Sequence, residues 1–133
     1  MYLAVSLMGT RAMTENEFQD GRLLRIFLDE QDRSGVLPTY TAIVEFLRGR
    51  GIAGASAFRG IEGFGAHREV HAAKLFSWLP NLPIMIEVIE DWSVLEPLLP
   101  ELEEMLGEGL ITIEPVRYKR LSKGEKNSGY REG

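Results

Sequence analysis

The sequence predicts an α+β protein in which one antiparallel sheet packs against one layer of helices. Three observations predict it: segments in which apolar residues alternate, segments in which they recur at helical spacing, and the order of the two kinds. Alternation places every second side chain on one face of a strand, whereas spacings of three and four residues place side chains on one face of a helix. With 133 residues, 44% of them apolar, the chain can bury one hydrophobic core.

Two strand–helix pairs follow from these patterns. The segment RLLRIFLDE alternates and predicts a strand, and LPTYTAIVEFLRGRG predicts a helix that begins at Pro38 and ends near Gly49. Later, NLPIMIEVIED is apolar on both faces, which is typical of a central strand. The leucine-rich stretch after it predicts a second helix, with a capping box formed by Ser93 and Glu96 and a kinked or late start caused by Pro97 and Pro100.

Two further strands complete the order βαββαβ. IAGASAFRGI, rich in small residues, predicts a strand on which the first helix packs closely, and LITIEPVRY predicts the last strand. Four strands with two helices on one face form a ferredoxin-like sandwich. The other face of the sheet then carries Phe27, Met85 and Ile89. Since a single copy would expose these side chains, the sequence predicts a homo-oligomer.

The predicted domain occupies residues 21–121. Residues 1–20 show no clear period and indicate an N-terminal extension, while residues 122–133 are rich in Gly, Ser and charge and predict a flexible tail. The net charge of −5 gives no support for binding nucleic-acid polymers. The absence of cysteine excludes disulfides, thiolate zinc sites and cysteine nucleophiles, and no apolar run approaches the ~20 residues that span a bilayer. We expect a soluble, cytoplasmic protein.

The connection between the second and third strands is about twenty residues long, far more than a hairpin needs. It begins with RGIEGFGAHREVHAAK, which contains several glycines and both histidines of the chain. Connections of this length are often functional. Gly63 and Gly65 are expected to allow positive φ and the close approach of a ligand or of backbone. GIEGFG lacks the Lys-Ser/Thr of a phosphate-binding P-loop, so a structural turn is the simpler interpretation of its pattern alone.

The two histidines offer a metal-binding interpretation. His67 and His71 are four residues apart and would share one face of a helix, with Glu69 nearby. The order HREVH differs from that of the zinc proteases, and no Cys or further His completes a site. We therefore predict no metal site and no catalytic residue, and we interpret both histidines as surface residues of a polar loop.

Most of the chain, about residues 22–121, resembles the PII-like family named domain of unknown function 190. The segments AGASAFRGIEGFG and EGLITIEPV carry the resemblance. This family is similar to the nitrogen-regulatory PII signal proteins, which are βαββαβ trimers with a long loop between strands two and three. In PII proteins, the pieces that match GFG, FSWLP and GEG meet at the cleft between subunits and bind ATP, ADP and often 2-oxoglutarate. The loop then reports the ligand to a partner protein.

This sequence departs from the PII pattern at three positions of the cleft. Asn81 and Leu110 stand where PII proteins carry lysines, and Ala57 stands where they carry a threonine that contacts adenine. Two lysines supply most of the point charge that a triphosphate needs, so the resemblance implies the scaffold and the cleft but not ATP. Arg117 and Lys119 on the last strand are either ordinary surface charges or, with Lys74, cations for a smaller anion.

The resemblance thus implies a homotrimeric signalling or regulatory protein without catalytic activity. It would bind a small nucleotide or anion and act on a membrane transporter or another regulated protein, and the cofactor stays open. The alternatives are a metal-binding protein or enzyme that uses His67, His71 and Glu69, and a structural trimer. The implied ligand-binding residues are Gly63, Phe64, Gly65, His71, Lys74, Asn81, Gly107, Gly109, Arg117 and Lys119.

Overall fold

The computed structural model describes three stretches of the chain, residues 17–65, 71–72 and 81–123. The chain divides into two compact units, one formed by Gly21–Val116 and the other by Met1–Asp20 with Arg117–Gly133. The first unit carries every helix among the described residues. The division into an extension, a domain and a tail stays a prediction, because most of the two ends lies outside the described residues.

The described elements follow the predicted order of strands and helices, with three short additions. Two small hairpins and a turn of 3₁₀-helix are inserted between the larger elements. The elements are β1 (Gln19–Asp29), β2 (Arg33–Ser34), β3 (Leu37–Pro38), α1 (Thr39–Gly49), β4 (Ala55–Arg59), β5 (Glu62–Gly63), β6 (His71–Ala72), β7 (Pro83–Glu90), α2 (Trp92–Leu95), a 3₁₀ turn (Glu96–Leu98), α3 (Leu99–Leu106) and β8 (Leu110–Tyr118).

Four strands form one antiparallel sheet in the order β4–β7–β1–β8. The predicted central position of β7 is confirmed, since it pairs with β4 on one side and with β1 on the other. The register between β1 and β7 sets Leu24 opposite Val88 and Ile26 opposite Ile86. Since these four positions share one face, the alternation seen in the sequence produces a continuous apolar surface. The ferredoxin-like arrangement is therefore confirmed.

The core lies between this face of the sheet and the helices. The sheet contributes the alternating residues of β1 and β7, and the helices contribute one stripe each. Burying a side chain of this size stabilises the fold by roughly 1.5–3 kcal/mol, before the loss of conformational entropy is counted. The side chains with less than 2% of their surface exposed are Leu24, Ile26, Ile43, Leu47, Ile86, Val88, Leu95 and Leu102.

The helix termini differ in detail from the prediction. Pro38 is the N-cap of α1 rather than its first residue, and the helix ends at Gly49 as expected. The predicted capping box is wrong: α2 begins at Trp92, so Ser93 already lies inside its first turn, and no side chain caps it. Proline after α2 forces a 3₁₀ turn, which confirms the predicted irregular start. In the described part of the chain, no helix has the length and apolarity to cross a membrane.

The face of the sheet opposite the helices is only partly covered. Phe27 and Met85 are half-buried there, and Ile89 is 39% exposed. Between these apolar residues, the guanidinium of Arg25 pairs with Glu87 at 2.8 Å and with Glu114 at 2.9 Å. The hydrogen bond to Glu87 raises the pKa of Arg25 above its ordinary value, and the charges of both carboxylates act in the same direction.

Candidate functional site

A cavity of about 640 Å³ lies where β1 ends, where β7 begins and where the chain turns into β8. Its wall comes from four segments that are far apart in sequence: the end of β1 with the following turn, residues 63–65, residues 81–84, and residues 108–110. The antiparallel order of the sheet brings these segments together, because β4 and β1 both end beside the first residues of β7. A cavity of this size can hold a small ligand.

Five of the predicted ligand-binding residues line this cavity. Gly63, Phe64 and Gly65 come from the connection after β4, Asn81 comes from the end of that connection, and Gly109 comes from the turn before β8. GFG and part of GEG, two of the pieces that the resemblance connected to one cleft, are thus neighbours within this chain, whereas FSWLP lies outside the described residues. That these five residues bind a ligand stays a prediction.

The other five predicted residues are placed differently. Gly107 ends α3, two residues before Gly109, and does not line the cavity. His71 pairs with Gly63 through the backbone of the β5–β6 hairpin. Lys74 lies outside the described residues, and Arg117 and Lys119 belong to the other compact unit.

Glycine occupies the positions around the cavity for different structural reasons. Gly109 has a φ of +151°, and a Cβ there would lie 2.5 Å from the carbonyl oxygen of Phe27, so only glycine fits. Gly63 is extended because β5 pairs with β6, and a Cβ there would lie 3.1 Å from Cγ of Pro83. A Cβ at Gly65 would meet nothing within 4 Å. Neither Gly63 nor Gly65 adopts the positive φ that the sequence allowed, and Gly65 faces open space.

Asn81 is held in place by the turn that follows β1. Its side-chain oxygen accepts a hydrogen bond of 3.0 Å from the backbone N–H of Gln31. Because the oxygen of the carboxamide has this partner, its NH₂ group is the part that can serve a ligand, as a neutral donor. A lysine would instead bring a positive charge to this position.

The lining combines apolar and acidic side chains. Phe27, Phe64 and Leu110 supply apolar surface, and Phe64 is 69% exposed. Three carboxylates also line the cavity: that of Asp29 at the end of β1, that of Asp32 in the following turn and that of Glu108 in the turn before β8. Among the described residues of the lining, none is Lys, Arg or His. In a single chain, each added phosphate of a ligand therefore makes the cavity less favourable, and a triphosphate is the most disfavoured.

The acidic residues of the lining were missed by the sequence reasoning. Asp29 ends β1 and Asp32 lies in the ordinary polar turn after it, where a carboxylate oxygen of Asp32 accepts the N–H of Asp29 at 3.1 Å. Glu108 stood inside the GEG motif, but only its glycines were selected. A cluster of acids after the first strand was the one signal available, and it did not indicate which other segments it would meet.

The metal interpretation stays without a test. No group of three or more His, Cys, Asp or Glu residues with suitable geometry occurs in the described part of the chain. His67 and Glu69 lie outside that part, and of His71 only the backbone is described.

Comparison with solved structures identifies the class of fold. The structure is similar to CPII from Thiomonas intermedia K12, a nitrogen regulatory PII-like protein bound to ADP, AMP and bicarbonate, with a TM-score of 0.61 and 16% identity over 78% of this chain and 92% of that chain. It is also similar to a PII-like protein from Thermus thermophilus, with a TM-score of 0.55 and 19% identity over 83% of this chain and 97% of that chain. At these identities the likeness shows the fold, which is PII-like.

Sequence comparison identifies the family. The model of the family DUF190, described as "Uncharacterized ACR", matches residues 21–118. A UPF0166 protein of Aquifex aeolicus is 36% identical over 95 residues, which are 71% of this chain and 90% of that protein. A UPF0166 protein of Methanocaldococcus jannaschii is 34% identical over 93 residues, which are 69% of this chain and 85% of that protein. The chain belongs to the DUF190 family.

Proposed function

We propose that this protein is a trimeric PII-like regulator that binds a small nucleotide or anion and transmits its presence to a partner protein. The observation that carries the proposal is the cavity of about 640 Å³, which joins residues 63–65, Asn81 and the turn at Gly109. In the proposed trimer, a neighbouring subunit completes this cavity. The protein acts by binding, not by catalysis.

The chemistry of the residues that line the cavity restricts the class of ligand that can bind. An aromatic face at Phe64, a neutral donor at Asn81 and carboxylates at Asp29 and Asp32 suit a flat ring with hydroxyl or amino groups. The same carboxylates disfavour a triphosphate. A nucleotide with one or two phosphates, such as the AMP and ADP found in CPII, is therefore preferred over ATP. Any phosphate or bicarbonate would be neutralised by Lys74, or by Arg117 and Lys119 of a neighbouring subunit.

The partly exposed face of the sheet supports the oligomer. Phe27, Met85 and Ile89 form apolar surface that a single chain covers incompletely. A second and third copy that contact this face would bury it. The connection between β4 and β7 begins and ends at the cavity, so ligand occupancy changes the surface that a partner protein contacts. A membrane transporter is one such partner.

A thermal-shift and calorimetry panel tests the proposal. AMP, ADP, ATP, cyclic AMP, bicarbonate and divalent metals are added to the wild-type protein, with the oligomeric mass measured in the same buffers. A ligand at a hundred times its Kd stabilises the protein by about 2.7 kcal/mol. We expect AMP or ADP to raise the melting temperature and ATP to bind less tightly. A panel without any hit would contradict the proposal.

A substitution at Gly65 locates the ligand. Gly65→Leu places a side chain into open space at the cavity, so we expect normal folding and ligand affinity reduced by about tenfold or more. Gly54→Leu is the matched control, because a Cβ at Gly54 also meets nothing within 4 Å and Gly54 does not line the cavity. Equal affinities of the two variants would place the ligand elsewhere.

A further inference from the structure

Glu30, the residue directly after β1, makes contacts that no motif predicted. Its backbone N–H donates to the carbonyl oxygen of Leu82 at 2.9 Å, and one of its carboxylate oxygens accepts the N–H of Leu82 at 3.2 Å. The other carboxylate oxygen pairs with the guanidinium of Arg59. The Glu30 side chain is only 12% exposed, whereas that of Arg59 is 56% exposed. We call the contacts of this carboxylate with Leu82 and Arg59 the Glu30 bridge.

The two partners of Glu30 stand at opposite ends of one connection. Arg59 is the last residue of β4, and Leu82 directly precedes β7. One carboxylate therefore joins the residue that enters the connection to the residue that leaves it. The backbone strengthens this junction, since the N–H of Gly60 donates to the carbonyl oxygen of Pro83 at 2.7 Å. A carboxylate with little exposure and with charged and backbone donors makes strong, directional hydrogen bonds.

The Glu30 bridge lies directly beside the cavity. Asp29 and Asp32 line the cavity from the same turn as Glu30, and Asn81 and Pro83 line it on either side of Leu82. Gln31, the next residue after Glu30, donates its N–H to the side chain of Asn81. A change at Glu30 therefore reaches several lining residues without removing any of them.

We propose that Glu30 is a positioning residue of the ligand site. Its carboxylate holds the two ends of the connection against β1, so that Asn81 and the acidic turn keep their places around the cavity before the ligand binds. This role rests on the proposed function, because it requires a ligand in the cavity. A preformed site loses less conformational entropy when the ligand binds, so removal of the bridge lowers the affinity for the ligand.

Titration calorimetry with ADP as the probe tests this role. Glu30→Gln keeps an acceptor for the N–H of Leu82 but loses the ion pair, and Arg59→Gln loses the same pair from the other side. We expect each variant to bind ADP about five- to tenfold more weakly than wild type. The double variant should be no weaker than either single variant, because both changes remove one interaction. Additive losses would contradict the bridge.

Hydrogen exchange separates positioning from general stability. In Glu30→Gln without ligand, the amide of Leu82 should exchange faster, whereas the amides of the buried core strands should not. Glu101→Gln is the matched control: it breaks the 2.8 Å ion pair between Arg50 and Glu101, which also joins two separate elements but does not line the cavity. We expect Glu101→Gln to leave ADP affinity unchanged.

The outcomes distinguish this inference from the proposed function. If wild type binds ADP and the Glu30 and Arg59 variants bind it equally well, the positioning role is wrong and the proposed function stands. If the variants only lower the midpoint of urea unfolding, Glu30 is a structural residue and the inference fails in the same way. If wild type binds no nucleotide or anion of the panel, the proposed function fails, and this role fails with it.

Discussion

The two faces of the central sheet differ in how completely a single chain covers them. On the face toward the helices, Ile86 and Val88 are almost fully buried among aliphatic side chains. On the opposite face of the same strand, Met85 is half-buried and Ile89 is 39% exposed. The two sets alternate along β7, so the strand itself does not distinguish them. The difference comes from what covers each face.

The chemistry of the two faces differs as well. The described core between sheet and helices is made of apolar side chains, whereas the open face sets an ion cluster of Arg25, Glu87 and Glu114 among its apolar residues. An apolar core is stable when its side chains fill the space between sheet and helices, and a single chain supplies side chains of the required shape and volume. Charged groups within an apolar surface favour one orientation of a bound partner, because only that orientation matches their charges.

The largest effect is expected on the covered face. Ile86→Ala removes a side chain with no exposed surface and leaves a cavity in the middle of the sheet. We expect the free energy of unfolding to fall by about 2–5 kcal/mol, measured by urea denaturation. A loss below about 1 kcal/mol would mean that this face is less tightly packed than the burial indicates.

The second effect tests whether copies of the chain cover the open face. Ile89→Glu places a charge on this face, and an interface that buried it unpaired would lose at least about tenfold in association constant. We expect a lower oligomeric mass by light scattering and an unchanged circular dichroism spectrum.

Val94→Glu is the control for Ile89→Glu, because Val94 is 38% exposed and lies on α2, away from this face. The mass of the Val94→Glu variant should match that of wild type. If Ile89→Glu also leaves the mass unchanged, the open face is not the contact between copies.

The smallest effect is expected from the ion cluster. Arg25→Met removes the cation between Glu87 and Glu114 and leaves two carboxylates together. We expect a small decrease in melting temperature that shrinks as salt rises, because partly exposed charges are screened. If Arg25→Met lowered the free energy of unfolding more than Ile86→Ala does, the ranking of the two faces would be reversed.

The pH dependence of the cluster follows from the direction of its pKa. The hydrogen bond to Glu87 and the two carboxylates raise the pKa of Arg25 in the folded state. A raised pKa stabilises the fold below the unfolded-state pKa and ceases to do so only as pH rises through the folded value. Both lie far above neutrality, so thermal unfolding between pH 6 and 8 should show no contribution from titration of Arg25.

Local patterns in the sequence were enough to predict the elements and the face that each one buries. Alternation in β1 and helical spacing in α1 and α3 are local properties. The alternation predicts the buried face of β1, and the helical spacing predicts stripes that are buried at Ile43, Leu47 and Leu102 and partly buried elsewhere. The order βαββαβ then left few ways to arrange one sheet and one helical layer. GEG and GFG were also predicted as parts of one cleft, though through a resemblance rather than from their spacing.

The contacts between distant residues, in contrast, depend on how the strands pair and pack. The acidic turn at Asp29 and Asp32 reaches the cavity because β1 pairs with β7, a contact between residues more than fifty positions apart. The contact between Glu30 and Arg59 depends on two strands that flank a third. The pairing of β5 with β6 extends Gly63, whose glycine identity had suggested positive φ. Local patterns carry no information about such pairs, because the free energy that selects them arises from packing across the whole sheet.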